Sequence, residues 1–207
     1  MKSENFMLTV AIITMLISAL SLGFTYFSVN SFKQNILTGY TITTNGTIYI
    51  NITSQESFNL STATINWGVG RVNASDVQAF LDTSQNSVVN GTWTPVSSGF
   101  VLENTGNVNL SISIKSGKVA STFIGGTNPV YQMNVTSNEA SSCINVTGYN
   151  LSFYVDVNNT GGWSVCSNLS YIDTADTIKV DVRLIVPYNS ITGNLSDQFQ
   201  FTGTQSA

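Results

Sequence analysis

Hydrophobic positions along this chain follow two periods, one after the other. Residues 5–32, NFMLTVAIITMLISALSLGFTYFSVNSF, contain no charged residue and are apolar around most of a helical circumference. Such a run predicts a helix, and 28 residues of helix reach about 42 Å, more than a hydrocarbon core of about 30 Å. After Lys33 the period becomes two. Ile48, Ile50 and Ile52 alternate with Thr47, Tyr49 and Asn51; Val108, Leu110, Ile112 and Ile114 alternate with Asn107, Asn109, Ser111 and Ser113. Ile178, Val180, Val182, Leu184 and Val186 alternate with Lys179, Asp181, Arg183 and Ile185, and shorter runs surround Tyr131, Met133 and Val135, Leu151 to Val157, and Phe199 with Phe201. These are the marks of half-buried antiparallel strands separated by Gly, Asn, Asp and Pro turns. With no long amphipathic helix among them, the expected fold is mainly β: a long N-terminal hydrophobic α-helix (residues 1–35), then one antiparallel β-sandwich (residues 36–207), Ig-like or jelly-roll-like. Residues 73–84, NASDVQAFLDTS, read either as a short helix capped by Ser75 or as a loop and edge strand.

Polar residues inside the apolar run share one face. Thr14, Ser18, Ser21, Thr25 and Ser28 are spaced 4, 3, 4 and 3, and Met7 and Ala11 extend the stripe backward. Small and hydroxyl residues on one stripe let helices approach closely and bond across the contact, which points to helix–helix association. The plainer reading is that each hydroxyl bonds a carbonyl of its own helix one turn earlier. Ala19-Leu20-Ser21 also fits a small-x-small cleavage site, but the apolar stretch is longer than a signal peptide needs, so we expect the helix to be retained. Lys2 and Lys33 flank it equally and set no orientation.

The region after the helix holds twelve Asn-x-Ser/Thr sequons: Asn45, Asn51, Asn59, Asn73, Asn90, Asn109, Asn134, Asn145, Asn150, Asn158, Asn168 and Asn194. With 23 Asn and 52 Ser or Thr in 207 residues, chance gives about six. The excess, and the polar strand phase of Asn51, Asn109 and Asn134, imply an exposed surface carrying N-linked glycans, hence an exported domain at the cell surface. Cys143 and Cys166 lack redox or metal spacing, and in an exported chain they are expected to close a disulfide loop.

Composition removes several functions. The chain has no His, which takes away the commonest general base and metal ligand and excludes Ser-His-Asp and Cys-His catalysis. Seven scattered basic residues against eleven acidic ones make no basic patch, so nucleic acid is not an expected partner. Asp173 and Asp176, with Asp156 or Glu103 as distant partners, are the best candidates for calcium, but no Asp-x-Asp-x-Asp-Gly loop contains them and solvated turn carboxylates explain them better. Gly125-Gly126 and Gly161-Gly162 lack phosphate-loop context and read as turns. Trp67 and Trp93, beside turns, fit the end of a core better than a sugar-stacking platform. No cofactor, metal site or enzymatic activity is expected.

An uncharged N-terminal helix leading into a sequon-rich β-sandwich resembles archaeal pilins and archaellins. FVLENTGNVNLSISI (residues 100–114) is similar to a strand–Asn-x-Gly-Asn-turn–strand unit of archaeal surface β-sandwiches, and residues 183–203, RLIVPYNSITGNLSDQFQFTG, resemble the end of such domains. LGFTYFSV (residues 22–29) is similar to the end of the signal segment of TasA- and camelysin-like fibre proteins. Pilin-type precursors carry a basic leader before the helix and a glutamate soon after the cleavage site; here Met1-Lys2-Ser3 precedes Glu4, a departure from that pattern. The resemblance implies a structural subunit of an extracellular filament or surface layer, a homo-oligomer joined through its helix, which sits in the membrane at least before assembly. The alternative is a membrane-anchored binding module, an adhesin with a β-sandwich ectodomain.

Overall fold

The computed structural model describes residues 2–34, 49–143 and 153–206. Two compact units divide the chain, Met1–Asn51 and Ile52–Ala207. In the first, helix α1 covers Lys2–Gln34. Its stretch Asn5–Ser28 has a mean hydropathy of 2.2 and no buried residue, so it is long and apolar enough to cross a membrane.

The second unit is built from strands. In order they are β1 (Phe58–Thr62), β2 (Gln78–Asp82), β3 (Ser87–Val89), β4 (Phe100–Asn104), β5 (Leu110–Ser116), the single-turn helix α2 (Ala120–Phe123), β6 (Val130–Ser137), β7 (Val155–Asp156), β8 (Trp163–Leu169), β9 (Thr177–Pro187) and β10 (Phe199–Gln205). Among the described residues they form two antiparallel sheets. The longest strand, β9, is the spine of the first sheet. Along one edge it pairs with β6, from Val130 opposite Ile185 to Ser137 opposite Ile178. Its other edge is shared end to end: β4 takes Thr177 to Val180, and β2 takes Arg183 to Pro187. Between them Thr83 bridges the gap, its N–H donating to Val182 O at 3.1 Å. Gly99 makes this junction possible, since a Cβ there would lie 2.1 Å from Val180 O. β1 extends the sheet beyond β4, β3 beyond β2 and β7 beyond β6. The second sheet has the order β10-β5-β8.

Period-two alternation explains how the two sheets meet. Leu110, Ile112 and Ile114 of β5 face inward and are essentially inaccessible, as are Leu102 of β4 and Ile178 and Val180 of β9. Tyr131, Met133 and Val135 of β6 and Cys166 and Leu169 of β8 complete a sandwich core. Aromatic rings close one end: Phe100 lies 5.2 Å from Phe199 and 5.7 Å from Phe201, and Tyr131 packs on Phe199 and Phe123.

One expectation fails and a second, the loop and strand of residues 73–84, holds except for the strand's place in the sheet. Residues 49–52, the described part of TIYINI, belong to no strand and are fully exposed. Alternation makes a segment strand-competent, but a strand needs a neighbour, and no described residue supplies one. Residues 73–84 are neither helix nor edge. They contain a turn and then β2, an interior strand lying between β9 and β3. Burial of Ala79 and Leu81, two residues apart, decides this against the helical spacing of Val77, Phe80 and Leu81.

Candidate functional site

The most conspicuous chemical surface is α1. Met7, Met15, Leu16, Leu20, Leu22, Phe24 and Phe27 are all exposed, Phe24 to 80 %. Each such side chain would gain about 1.5–3 kcal/mol on leaving water. A helix carrying this many requires lipid or protein around it. The stripe residues Thr14, Ser18, Ser21, Thr25 and Ser28 are exposed too. The hydroxyls of the first four, however, bond backward within the helix. Thr14 donates to Ala11 O at 2.9 Å, Ser18 to Met15 O at 2.9 Å, Ser21 to Ser18 O at 2.8 Å, and Thr25 to Ser21 O. From Thr14 to Thr25 the stripe therefore offers a smooth, internally satisfied surface for close approach and has no need of hydrogen bonds across a contact. A second close-approach face was missed in the sequence, although Ala19-x-x-x-Gly23 signals it. Leu16, Leu20, Phe24, Phe27 and Ser28 wall a shallow concavity floored by Ala19 and Gly23. At 100° per residue its floor lies roughly opposite the hydroxyl stripe, while its rim reaches the stripe at Ser28.

Nine of the twelve sequon asparagines fall within the described residues; Asn45, Asn145 and Asn150 lie outside them. Asn51, Asn59, Asn73 and Asn194 are exposed, Asn90, Asn109, Asn134, Asn158 and Asn168 are half-buried, and none of the nine is in the core. Asn51 lies in the unpaired segment and not on a strand. Asn134 does take the outward phase of β6, opposite Asp181, but its Oδ1 is buried without a hydrogen-bond partner. Asn73 and Asn90 are neighbours, the Asn73 N–H donating to Asn90 O at 2.9 Å. Asn158 closes an Asx turn: its Oδ1 accepts from the Thr160 N–H and from the Thr160 hydroxyl, both at 2.8 Å.

Cys143 and Cys166 are joined in a disulfide with a Cα–Cα distance of 5.9 Å. It fastens β8 to the chain that follows β6, where Cys143 also bridges to Leu169. The ENTGN turn does more than reverse the chain. Asn104, buried at the end of β4, donates through Nδ2 to Val108 O (2.9 Å), Ser170 O (3.0 Å) and Leu169 O (3.3 Å), so it ties the first sheet to the end of β8. Asn107 holds the chain that leads into β1: its Nδ2 donates to Thr53 O at 3.0 Å, and its Oδ1 accepts the Gln55 N–H at 2.6 Å.

A polar network on the outer face of the first sheet was invisible in the sequence. Asp82 Oδ2 accepts from Arg183 Nε (3.0 Å) and Nη2 (2.9 Å), and its Oδ1 accepts from the Tyr154 hydroxyl (2.6 Å) and the Ser84 N–H (2.8 Å). The guanidinium carbon of Arg183 stands 3.7 Å over the centre of the Tyr154 ring. Burial alone would raise the Asp82 carboxyl, but the bonds from Tyr154, Ser84 and Arg183 outweigh it and hold its pKa below the usual value. Burial and the bond to Asp82 push Tyr154 up, so its proton stays on. The Asp82 carboxylate and the Tyr154 and Ser84 hydroxyls are all engaged. This is a clamp, with no free base or nucleophile to offer.

Of the calcium candidates, Asp176 is buried and Asp156 is elsewhere, accepting from Gln132 Nε2 at 3.0 Å. Burial first, then the charges of Glu139, Glu103 and Asp173, raise the Asp176 pKa to about 6. Glu139 Oε2 meanwhile accepts the N–H groups of Asp176 (2.9 Å) and Thr177 (3.1 Å). Among the described residues no three His, Cys, Asp or Glu side chains are grouped to hold a metal ion. The Trp93 ring packs on Gly70 and Gly91, where a Cβ would come within 3 Å of it, and Trp67 lies against the core. Neither presents a free stacking platform. Gly125, Gly126 and Gly162 have positive φ, the conformation their turns require.

Compared with known proteins, the chain matches no family model, no curated protein and no solved structure.

Proposed function

We propose that this protein is a structural subunit of an extracellular filament or surface layer, assembled through α1 and presenting its β-sandwich, with N-linked glycans, to the outside. The observation that carries this reading is the apolar surface of α1, uncovered over Asn5–Ser28. A lone lipid-embedded anchor needs only hydrophobicity. This helix adds two unlike faces, the hydroxyl stripe and the Ala19–Gly23 concavity walled by Leu and Phe, which meet at Ser28. Contact between two unlike faces is head-to-tail, and such contacts propagate into rings or open filaments. The disulfide agrees with an oxidising, extracellular setting. The sandwich is suited to display, since its polar groups serve its own turns and clamps.

The test is the double substitution Ser18→Leu/Ser21→Leu. It keeps the helix apolar but fills the stripe, so filaments seen by negative-stain microscopy should shorten or disappear while membrane insertion survives. Unchanged assembly would reject the stripe as a contact. A parent chain that is monomeric in mild detergent and forms no filament would favour the anchored binding module.

A further inference from the structure

Residues 49–52 and strand β10 carry complementary patterns. In Tyr49-Ile50-Asn51-Ile52 the side chains alternate, and Tyr49, Ile50 and Ile52 are 92 %, 81 % and 76 % exposed. The four residues make no backbone hydrogen bond to any described residue. Immediately downstream the chain is anchored by Asn107 at Thr53 and Gln55. β10, for its part, pairs with β5 over seven residues and, among the described residues, with no other strand. Bonds from the Gly117 N–H to Gln198 O and from the Ser206 N–H to Asn109 O fix the phase of that ladder. Gln200, Thr202 and Thr204 therefore bond β5, while Phe199, Phe201, Gly203 and Gln205 turn their N–H and C=O groups to the open edge.

Exposed edges are normally protected by charge, proline or a bulge. The strand FQFTGTQ has no charge and no proline, and its register with β5 is unbroken. The phases also match. Phe199 and Phe201 point toward the core and Gln200, Thr202 and Thr204 away from it, so an added strand with Ile50 and Ile52 facing inward would extend the apolar side and leave Asn51 on the polar side. The absence of charge on either partner favours their pairing over the capture of a charged peptide.

We propose that the open edge of β10 accepts residues 49–52 of a second copy of this chain as an added strand. Main-chain hydrogen bonds hold it and the two isoleucines set its face. The contact is separate from the helix contact and does not rest on it.

Two differently tagged full-length chains test it when co-expressed, one bearing Asn51→Cys and the other Gln200→Cys, Thr202→Cys or Thr204→Cys. Oxidation should give a mixed-tag disulfide adduct with at least one of the three, and at least tenfold less with a control chain bearing Ser164→Cys, exposed on β8. Adding Ile50→Pro to the first chain removes a donor at an exposed, unbonded position, and should lower the adduct at least tenfold without altering the sandwich. In the Ser18→Leu/Ser21→Leu background the adduct should persist. No adduct, equal adduct at Ser164, indifference to Ile50→Pro, or loss in the helix background would each overturn the pairing, the last by showing that the adduct reported helix-driven proximity alone.

Discussion

Asn104 shows how much one polar side chain decides when it is buried. Its carboxamide meets three carbonyls, of Val108, Leu169 and Ser170, and its Oδ1 accepts the Gly106 N–H at 3.0 Å. Asn104→Ala strands those groups, and urea denaturation should record a loss of about 1–3 kcal/mol with an unchanged m-value. Asn107→Ala, at an exposed position, should cost about 0.5 kcal/mol or less. Equal effects would mean that the sheet-to-sheet tie is unimportant. Asp176 acts with the opposite sign. Its pKa is raised to about 6 from 3.8, so the folded state holds the proton more tightly than the unfolded chain. That contribution is complete below about pH 4 and is lost as pH rises through about 6. In Asp176→Asn the loss cannot occur. The difference in Tm, variant minus parent, should therefore become more positive between pH 4 and pH 6 and then level off; a difference independent of pH would remove Asp176 from the titration. None of this shows in YIDTADTI, because the partners Glu139 and Glu103 are distant in sequence.

At the scale of elements, legibility followed burial. β5, β6 and β9 were readable because each buries a β-branched or large side chain at three or more successive alternate positions. β1 was missed because it is short and rich in Ser, Thr and Asn, β3 because it has only three residues, and β8 because a register shift in its pairing with β5 interrupts its alternation. Asp82 and Arg183, 101 residues apart, meet only because β2 and β9 pair, so no local pattern could join them. The helix was readable as a whole and its hydroxyl stripe as a pattern. That the hydroxyls bond their own backbone follows from the lack of any other partner within one helix. The disulfide supplies what β8 lacks in regular pairing. Replacing both cysteines, Cys143→Ser with Cys166→Ala, frees a loop spanning 23 residues of sequence separation and should lower stability by about 3 kcal/mol in the chain-entropy model. Calorimetry showing a Tm unchanged within a degree would mean that the bridge restrains only an already ordered connection.

For the whole molecule the governing fact is scarcity of charge, 18 charged residues in 207. A sandwich of this size keeps a polar exterior by other means, and here these are Asn, Ser, Thr and Gln, outward on nearly every strand. The proposed glycans act in the same direction, adding bulk and hydration where ionic groups are missing. The geometry ranks the acceptors. Asn51, Asn59, Asn73 and Asn194 are exposed, whereas the Asn134 carboxamide is partly sunk between strands with its oxygen buried. Peptide mapping by mass spectrometry of native material should find glycan on most of the exposed four and none on Asn134. Modification of Asn134 with the exposed four bare would contradict the exposure argument. A native chain unmodified throughout would remove the glycans and leave solubility to the amide and hydroxyl surface alone. Enzymatic removal of the glycans separates surface from core: the unfolding midpoint should shift by only a degree or two, because none of the nine described acceptors is in the core, while aggregation of the folded protein should rise. A large drop in midpoint would instead make the sugar part of the fold.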